Sequence, residues 1–292
     1  MVTIVISYKK GTGNILAVNL ASLARHTKDV PHKIDIITAK GDMDRDLIEL
    51  NSYYRINMCE LNICNSIDNI NKMHGMMLDA HIPSAIDSEF ILTLDSDCFP
   101  VADGWLSDLL NMNADIAGIL HPWVPPPDMN KNRIEWRVRS QHCWANTHVA
   151  CQIMKTSKFK ELGMKYNAGD DTGLAITKAA MDRAWKIDGY KLTRCPKPLE
   201  VVPGTTDPEF NRYVCLIYGD KMYHHGGWTR TNVGTDKPVL EDEFGWVTER
   251  VLTERGAEWL LDDDLSYKFK FDKEEEVAKE KMGRLFGLKN AK

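Results

Sequence analysis

The sequence predicts an α/β fold: a mixed, mainly parallel sheet flanked by helices, followed by a helical C-terminal extension. Three observations point there. Val2-Thr-Ile-Val-Ile-Ser-Tyr8, a glycine break, an amphipathic stretch and Lys33-Ile-Asp-Ile-Ile-Thr38 read as strand, helix, strand, a unit whose crossover is right-handed. Phe90 to Leu94 is an uninterrupted apolar run, as expected of a strand covered on both faces. With 292 residues, 43% of them hydrophobic, the chain has the material for a core of large single-domain size.

Taken in order, the first strand ends at Gly11-Thr-Gly13. Two glycines there serve a turn or a close approach to a phosphate; without the rest of a dinucleotide fingerprint, the turn is favoured. Ile15, Val18, Leu20 and Leu23 mark the buried side of the helix that follows. Farther on, Met73, Met76, Met77, Ala80 and Ile82 line one face of a second helix. The apolar strand after it ends abruptly in Asp95-Ser-Asp97. Alternate residues of an extended chain project to the same side, so both carboxylates can converge on one divalent cation. They also fall beyond the C-terminal end of a strand, where open α/β sheets place ligands. An Asx-turn with a solvated second acid is the structural alternative.

Trp105 to Met112 suggests a short helix and Ala114 to Leu120 another strand, before the Pro-rich stretch His121-Pro-Trp-Val-Pro-Pro-Pro-Asp128. That stretch reads as an irregular connection or a rigid lid, the connection favoured, with Trp123 a candidate ligand-facing ring. Arg133, Arg137 and Arg139 form either a basic edge suited to an anion or a salt-bridged face. Trp144, His148 and Tyr166 follow; rings of this kind stack on sugar faces or fill a core. A helix is expected through Lys178 to Trp185.

Helix, apolar strand and Asp-Ser-Asp-x-x-Pro, carried by Ala85, Phe90 to Leu94, Asp95, Asp97 and Pro100, resemble the sugar-nucleotide core of GT-A glycosyltransferases, particularly family 2. Tyr166-Asn-Ala-Gly-Asp-Asp-Thr-Gly-Leu174 resembles the acidic pair before that family's acceptor-side helix. Tyr223-His-His-Gly-Gly-Trp-Thr-Arg230 resembles the His-x-x-Gly-x-x-Lys element of several GT-A families. The resemblance covers roughly residues 2 to 232. It departs where Ile36-Ile-Thr-Ala-Lys-Gly-Asp42 stands in place of an Asp-rich turn, where Asp170 replaces the usual Glu, and at Thr177, where Arg is frequent.

The resemblance implies a GT-A, Rossmann-like catalytic domain over residues 1–237 and an extension over 238–292. It implies transfer of a sugar from a nucleotide-diphosphate donor, UDP- or GDP-linked, to a hydroxyl of a glycan, protein or modified nucleic acid. It implies Mn2+ or Mg2+ on Asp95, Asp97 and His224, with His225 the competing ligand. Asp171 is the implied base, which would make the transfer inverting, while the His224 to Arg230 element also resembles that of retaining families, so both outcomes stay open. Ser7, Tyr8, Asp42, Lys72, Asp95, Ser96 and Arg230 are the donor-side candidates; Trp144, Asp170 and Trp228 are those for acceptor and sugar. Paired aspartates also serve nucleotidyl and phosphoryl transfer, though the Gly-x-x-x-x-Gly-Lys-Ser/Thr loop of many such enzymes is missing. A carbohydrate-binding protein of the same fold is a further alternative.

A formal charge of −5 and a pI near 6.0 carry no global signature of a nucleic-acid binder. No apolar run approaches the roughly 20 residues a membrane helix needs, and a cytoplasmic protein is expected. Seven cysteines form no Cys-x-x-Cys pair, so mostly reduced, structural thiols are expected. Beyond Lys237 an acidic helical segment and an alternating-charge tail are expected, ending in a helix with Val277, Met282, Leu285 and Phe286.

Overall fold

The computed structural model describes residues 1–64, 70–83, 87–120, 147–163, 165–167, 172–196, 216–225, 258–261 and 266–268. Its centre is a sheet in the order β3-β2-β1-β4-β7-β6-β8. The strands are β1 (Val2–Tyr8), β2 (His32–Ala39), β3 (Asn57–Leu61), β4 (Phe90–Asp95), β6 (Ile116–Leu120), β7 (Thr147–Lys155) and β8 (Ile187–Pro196). Strands β3, β2, β1 and β4 are mutually parallel, β6 and β8 likewise, and β7 runs antiparallel between β4 and β6. The sheet is therefore mixed and mainly parallel, as expected.

Helices cover both faces because consecutive strand residues point to opposite sides. Ile4, Ile6, Leu92 and Leu94 pack with Leu16, Leu20 and Leu23 of α1 (Gly13–His26), Leu47 of α2 (Arg45–Tyr53) and Trp105, Leu106 and Leu109 of α4 (Trp105–Asn111). Val5 and Ile91 face the other way, onto Met73, Met77 and Leu78 of α3 (Ile70–His81), Phe159 and Leu162 of α5 (Thr156–Leu162), and Ile176, Ala179 and Ala180 of α6 (Leu174–Asp182). The expected α3 face holds for Met73, Met77 and Ile82, whereas Ala80 is exposed. Helix α6 stops short of Trp185 because Ala184 takes a left-handed φ of 53°, which ends an α-helix.

Strand β8 belongs to two sheets. Its first half pairs with β6, and its second half pairs with β9 (Leu216–Tyr218) and β11 (Ser266–Lys268). From β9 the chain turns into β10 (Met222–His224), which pairs antiparallel with β5 (Cys98–Pro100). This small antiparallel sheet returns to the C-terminal end of β4 and positions the candidate site. Of the residues expected to form the helical extension, those described make a 3-10 turn, Glu258–Leu261, with Leu260 fully buried, and strand β11. The last expected helix, from Val277 to Phe286, lies outside the described residues, as does the boundary at Lys237.

Cys59, Cys98 and Cys151 are free thiols. Burial pushes Cys98 and Cys151 well above the ordinary thiol range, so both are inert packing groups. No described helix is long and apolar enough to cross a membrane.

Candidate functional site at the C-terminal edge of the sheet

Strand β4 ends at Asp95, opposite Ser7 of β1 in the parallel register. The Ser96-Asp97 turn then leads into β5, and pairing of Cys98 with His224 sets β10 beside the acids. The His225 N–H donates to the Asp97 carbonyl at 3.0 Å, and His224 Nε2 lies 3.8 Å from Asp97 Oδ1. Asp97 and His224 are both buried, at 4% and 7% exposure. Two residues far apart in sequence thus share one small, nearly dry volume.

Two further residues at the acid turn were not singled out from the sequence. Asn19, fully buried on α1, donates through Nδ2 to the carbonyls of Asp95, Ser96 and Cys98 at 3.0, 3.2 and 2.7 Å. Three carbonyls of one tight turn are gathered on a single amide, and Ser22 one helical turn later donates to the Pro100 carbonyl. His74 of α3 places Nε2 3.6 Å from Asp95 Oδ1. A polar Asn in the apolar stripe of α1 was the available signal for the first.

Asp95, His148 and His224 bring one ligand atom each within 4.8 Å of one another. The His148 and His224 rings are 5.1 Å apart between centroids. His148 thus joins two of the three expected metal ligands, while Asp97 stands beside His224. An ion with bonds of about 2.1 Å holds neighbouring ligand atoms about 3 to 4 Å apart, so the set fits a divalent cation after small side-chain movements. His225 points elsewhere: its Nδ1 meets the Tyr223 hydroxyl at 2.8 Å, and burial, then the neighbouring His224, push it down to about 3. It is neutral at ordinary pH.

The other donor-side candidates divide. Ser7 lies next to Asp95, and its hydroxyl oxygen is buried without a hydrogen-bond partner among the described residues. Asp42 sits in the turn after β2 at the same edge, with its N–H donating to the Ala39 carbonyl, and Lys72 is exposed on the first turn of α3. Tyr8 is buried, and its hydroxyl donates to both oxygens of Asp44 at 2.8 and 2.7 Å. Burial, with the Asp44 carboxylate, pushes that phenol up. Asp44 also accepts from the Gly11 N–H at 3.1 Å and caps α2 through Leu47. The Gly11 amide therefore serves a turn, with φ of 83°, and a Cβ on Gly13 would lie 2.5 Å from that of Asp46. The glycines close α1 onto α2 instead of opening a phosphate loop.

Tyr166 is a core residue, not a sugar platform: it is 1% exposed, stacks on Phe159 and donates to Gln152 Oε1 at 3.1 Å. Tyr166 and Asn167 are tied to α3, because Asp79 accepts their N–H groups at 2.6 and 3.0 Å. Asp170 and Asp171, which follow, lie outside the described residues. So do Trp123, Trp144, Trp228, Arg230 and the arginines from 133 to 139.

No family model matches the sequence, and no curated protein matches it. Among solved structures, the chain is similar to the galactosyltransferase LgtC in complex with donor and acceptor sugar analogues: 13% identity, TM-score 0.47, covering 88% of this chain and 98% of that one. It is also similar to S. aureus TarS 1-349, at 14% identity and TM-score 0.44 over 64% of this chain and 57% of that one. The same protein in complex with UDP-GlcNAc gives 15% identity and TM-score 0.41 over 64% and 58%. Likeness of this degree decides no activity for the chain, which rests on its own site.

Proposed function

We propose that the protein is a metal-dependent glycosyltransferase that moves a sugar from a nucleotide-diphosphate donor to an acceptor hydroxyl. The observation that carries this reading is the meeting of Asp95 and Asp97 with His224 at the C-terminal edge of a mainly parallel sheet. A nucleoside diphosphate leaving group accumulates charge as the glycosidic bond breaks, and that charge needs neutralising. Asp95, Asp97 and His224 would hold Mn2+ or Mg2+, which would supply Lewis-acid stabilisation of the diphosphate.

The remaining work falls to the chain itself. Ser7, Ser96, Asp42 and Lys72 surround the donor side, and Arg230 supplies a fork suited to phosphate oxygens. Asp171 takes the proton of the attacking hydroxyl, with Asp170, Trp144 and Trp228 on the sugar and acceptor side. Attack from the face opposite the diphosphate inverts the anomeric centre. UDP- and GDP-linked donors are the expected substrates, and a glycan, a protein or a modified nucleic acid the acceptor.

The test is release of nucleoside diphosphate from UDP- and GDP-sugars with Mn2+ present. Slow hydrolysis by the wild type and its loss in Asp97→Asn are expected, with Asp171→Asn retaining donor binding but losing transfer. Donors left intact by the wild type in every combination would overturn the enzyme reading in favour of a binding protein.

A further inference from the structure

We propose that the cation site is built on two imidazoles, with His148 as a protein ligand beside Asp95 and His224, and that it selects Mn2+, Co2+ and Zn2+ over Mg2+. This deepens the metal-dependent reading above and rests on it only for the site's purpose.

The placement of His148 follows from the sheet. Strand β7 runs antiparallel to β4, so its first residues lie beyond Leu94, at the ligand edge. There the β6–β7 register breaks: Gly118 faces Gln152, yet Leu120 faces Thr147, so β7 bulges between them. His148 sits in the bulge. Bulges redirect a side chain out of the regular alternation, and this one is tied down from several sides. Gln152 Nε2 donates to Thr147 Oγ1 at 2.8 Å, and Thr93 of β4 donates to the Val149 carbonyl at 2.8 Å. The three ligands therefore arrive from β4, β7 and β10 on elements held by backbone pairing, which is how a metal site is preorganised.

The donor set decides the ion. Mg2+ demands oxygen ligands and keeps its waters, while imidazole nitrogens favour Mn2+ and more strongly the later first-row ions. His148 would add a second imidazole to the Asp95, Asp97 and His224 set, which raises the nitrogen share of the site. His148 Nδ1 accepts the Ala150 N–H at 3.1 Å. Binding through Nε2 requires the proton on Nδ1, and binding through Nδ1 displaces the amide. On either route the Ala150 amide loses this partner when the ion binds.

The test uses the full chain without any sugar donor. Calorimetric titration with MnCl2, CoCl2 and MgCl2 should give one bound ion, with tenfold excess Mg2+ failing to displace Mn2+. His148→Ala should weaken Mn2+ and Co2+ binding about 10- to 100-fold while its melting curve in chelator matches the wild type. Should that variant not fold, pulsed EPR of the Mn2+-loaded wild type counts the imidazole nitrogens directly: two support the proposal, one or none overturns it. Equal competition by Mg2+ also overturns it. Transfer that runs on an ion held by oxygen alone would remove this inference and spare the proposed function; two-nitrogen binding without any transfer would do the reverse.

Discussion

Asn19 shows how much one buried side chain can decide. Its amide faces three carbonyls, all acceptors, in a place water does not reach. Asn19→Ala should cost about 1 to 3 kcal/mol, since it orphans buried acceptors, and should weaken cation binding by loosening the acid turn. Asn19→Asp should be worse, because a carboxylate of the same shape turns its charge on those carbonyls. Urea melts of the two variants check the order, and an Asp variant as stable as the Ala variant would refute the clamp. Asp35 offers a different test. Burial pushes its carboxyl up, but hydrogen bonds from His81 at 3.0 Å and Asn57 at 2.8 Å outweigh this and hold it below the usual range. A depressed folded value stabilises above the unfolded value, about 4, and the benefit fades as pH falls through the folded one. The stability gap between wild type and Asp35→Asn should therefore be widest near neutrality, about 1 to 3 kcal/mol, and shrink below pH ~4 in melts run across that range.

Helix α3 touches both Asp95 and the Tyr166–Asn167 segment, so its errors should travel. His74 meets Asp95, while Gly75 and Asp79, one turn apart, meet the start of the acidic loop. A Cβ on Gly75 would stand 2.9 Å from both N and Cα of Asn167, and backbone cannot swing aside. Helix propensity favours Ala over Gly by about 1 kcal/mol, but overpacking costs typically 1 to 3 kcal/mol. Gly75→Ala should therefore lower the melting temperature; a rise would mean the loop yields freely. The elements also mark where the sequence was readable. Strands β1, β2, β4 and β6 announce themselves as apolar runs, and α1 and α3 by their spacing. Strand β7 does not, because Thr147, His148 and Gln152 interrupt its apolar pattern and Gln152 is satisfied only by partners in the fold. Strand β8 hides behind Gly189, which lies against Gly118 with no room for a Cβ, 2.0 Å from its carbonyl oxygen. The acids of β4 and His224 could be picked out by local motif. His148 could not, since its place depends on a non-local bulge.

At the scale of the whole molecule, the site is a junction between two sheets. Asp95 ends a parallel strand, His148 lies on the antiparallel strand beside it, and His224 comes from the small sheet that β8 joins to the main one. Backbone pairing holds β5 and β10 together over only three residues, so this return of the chain is among the weaker joints and should open before the β1–β2–β4 core. A cation bridging β4, β7 and β10 would bind the closed form and not the open one. Linkage then fixes the size of the effect: at a hundred times the dissociation constant, the ion stabilises by about 2.7 kcal/mol, rising with the logarithm of its concentration. Adding Mn2+ should accordingly raise the melting temperature and slow amide exchange in Met222 to His224 and Cys98 to Pro100 more than in β1. Asp95→Asn should abolish both responses. Protection gained equally across all strands, or a shift that persists in the variant, would place the ion somewhere other than this junction.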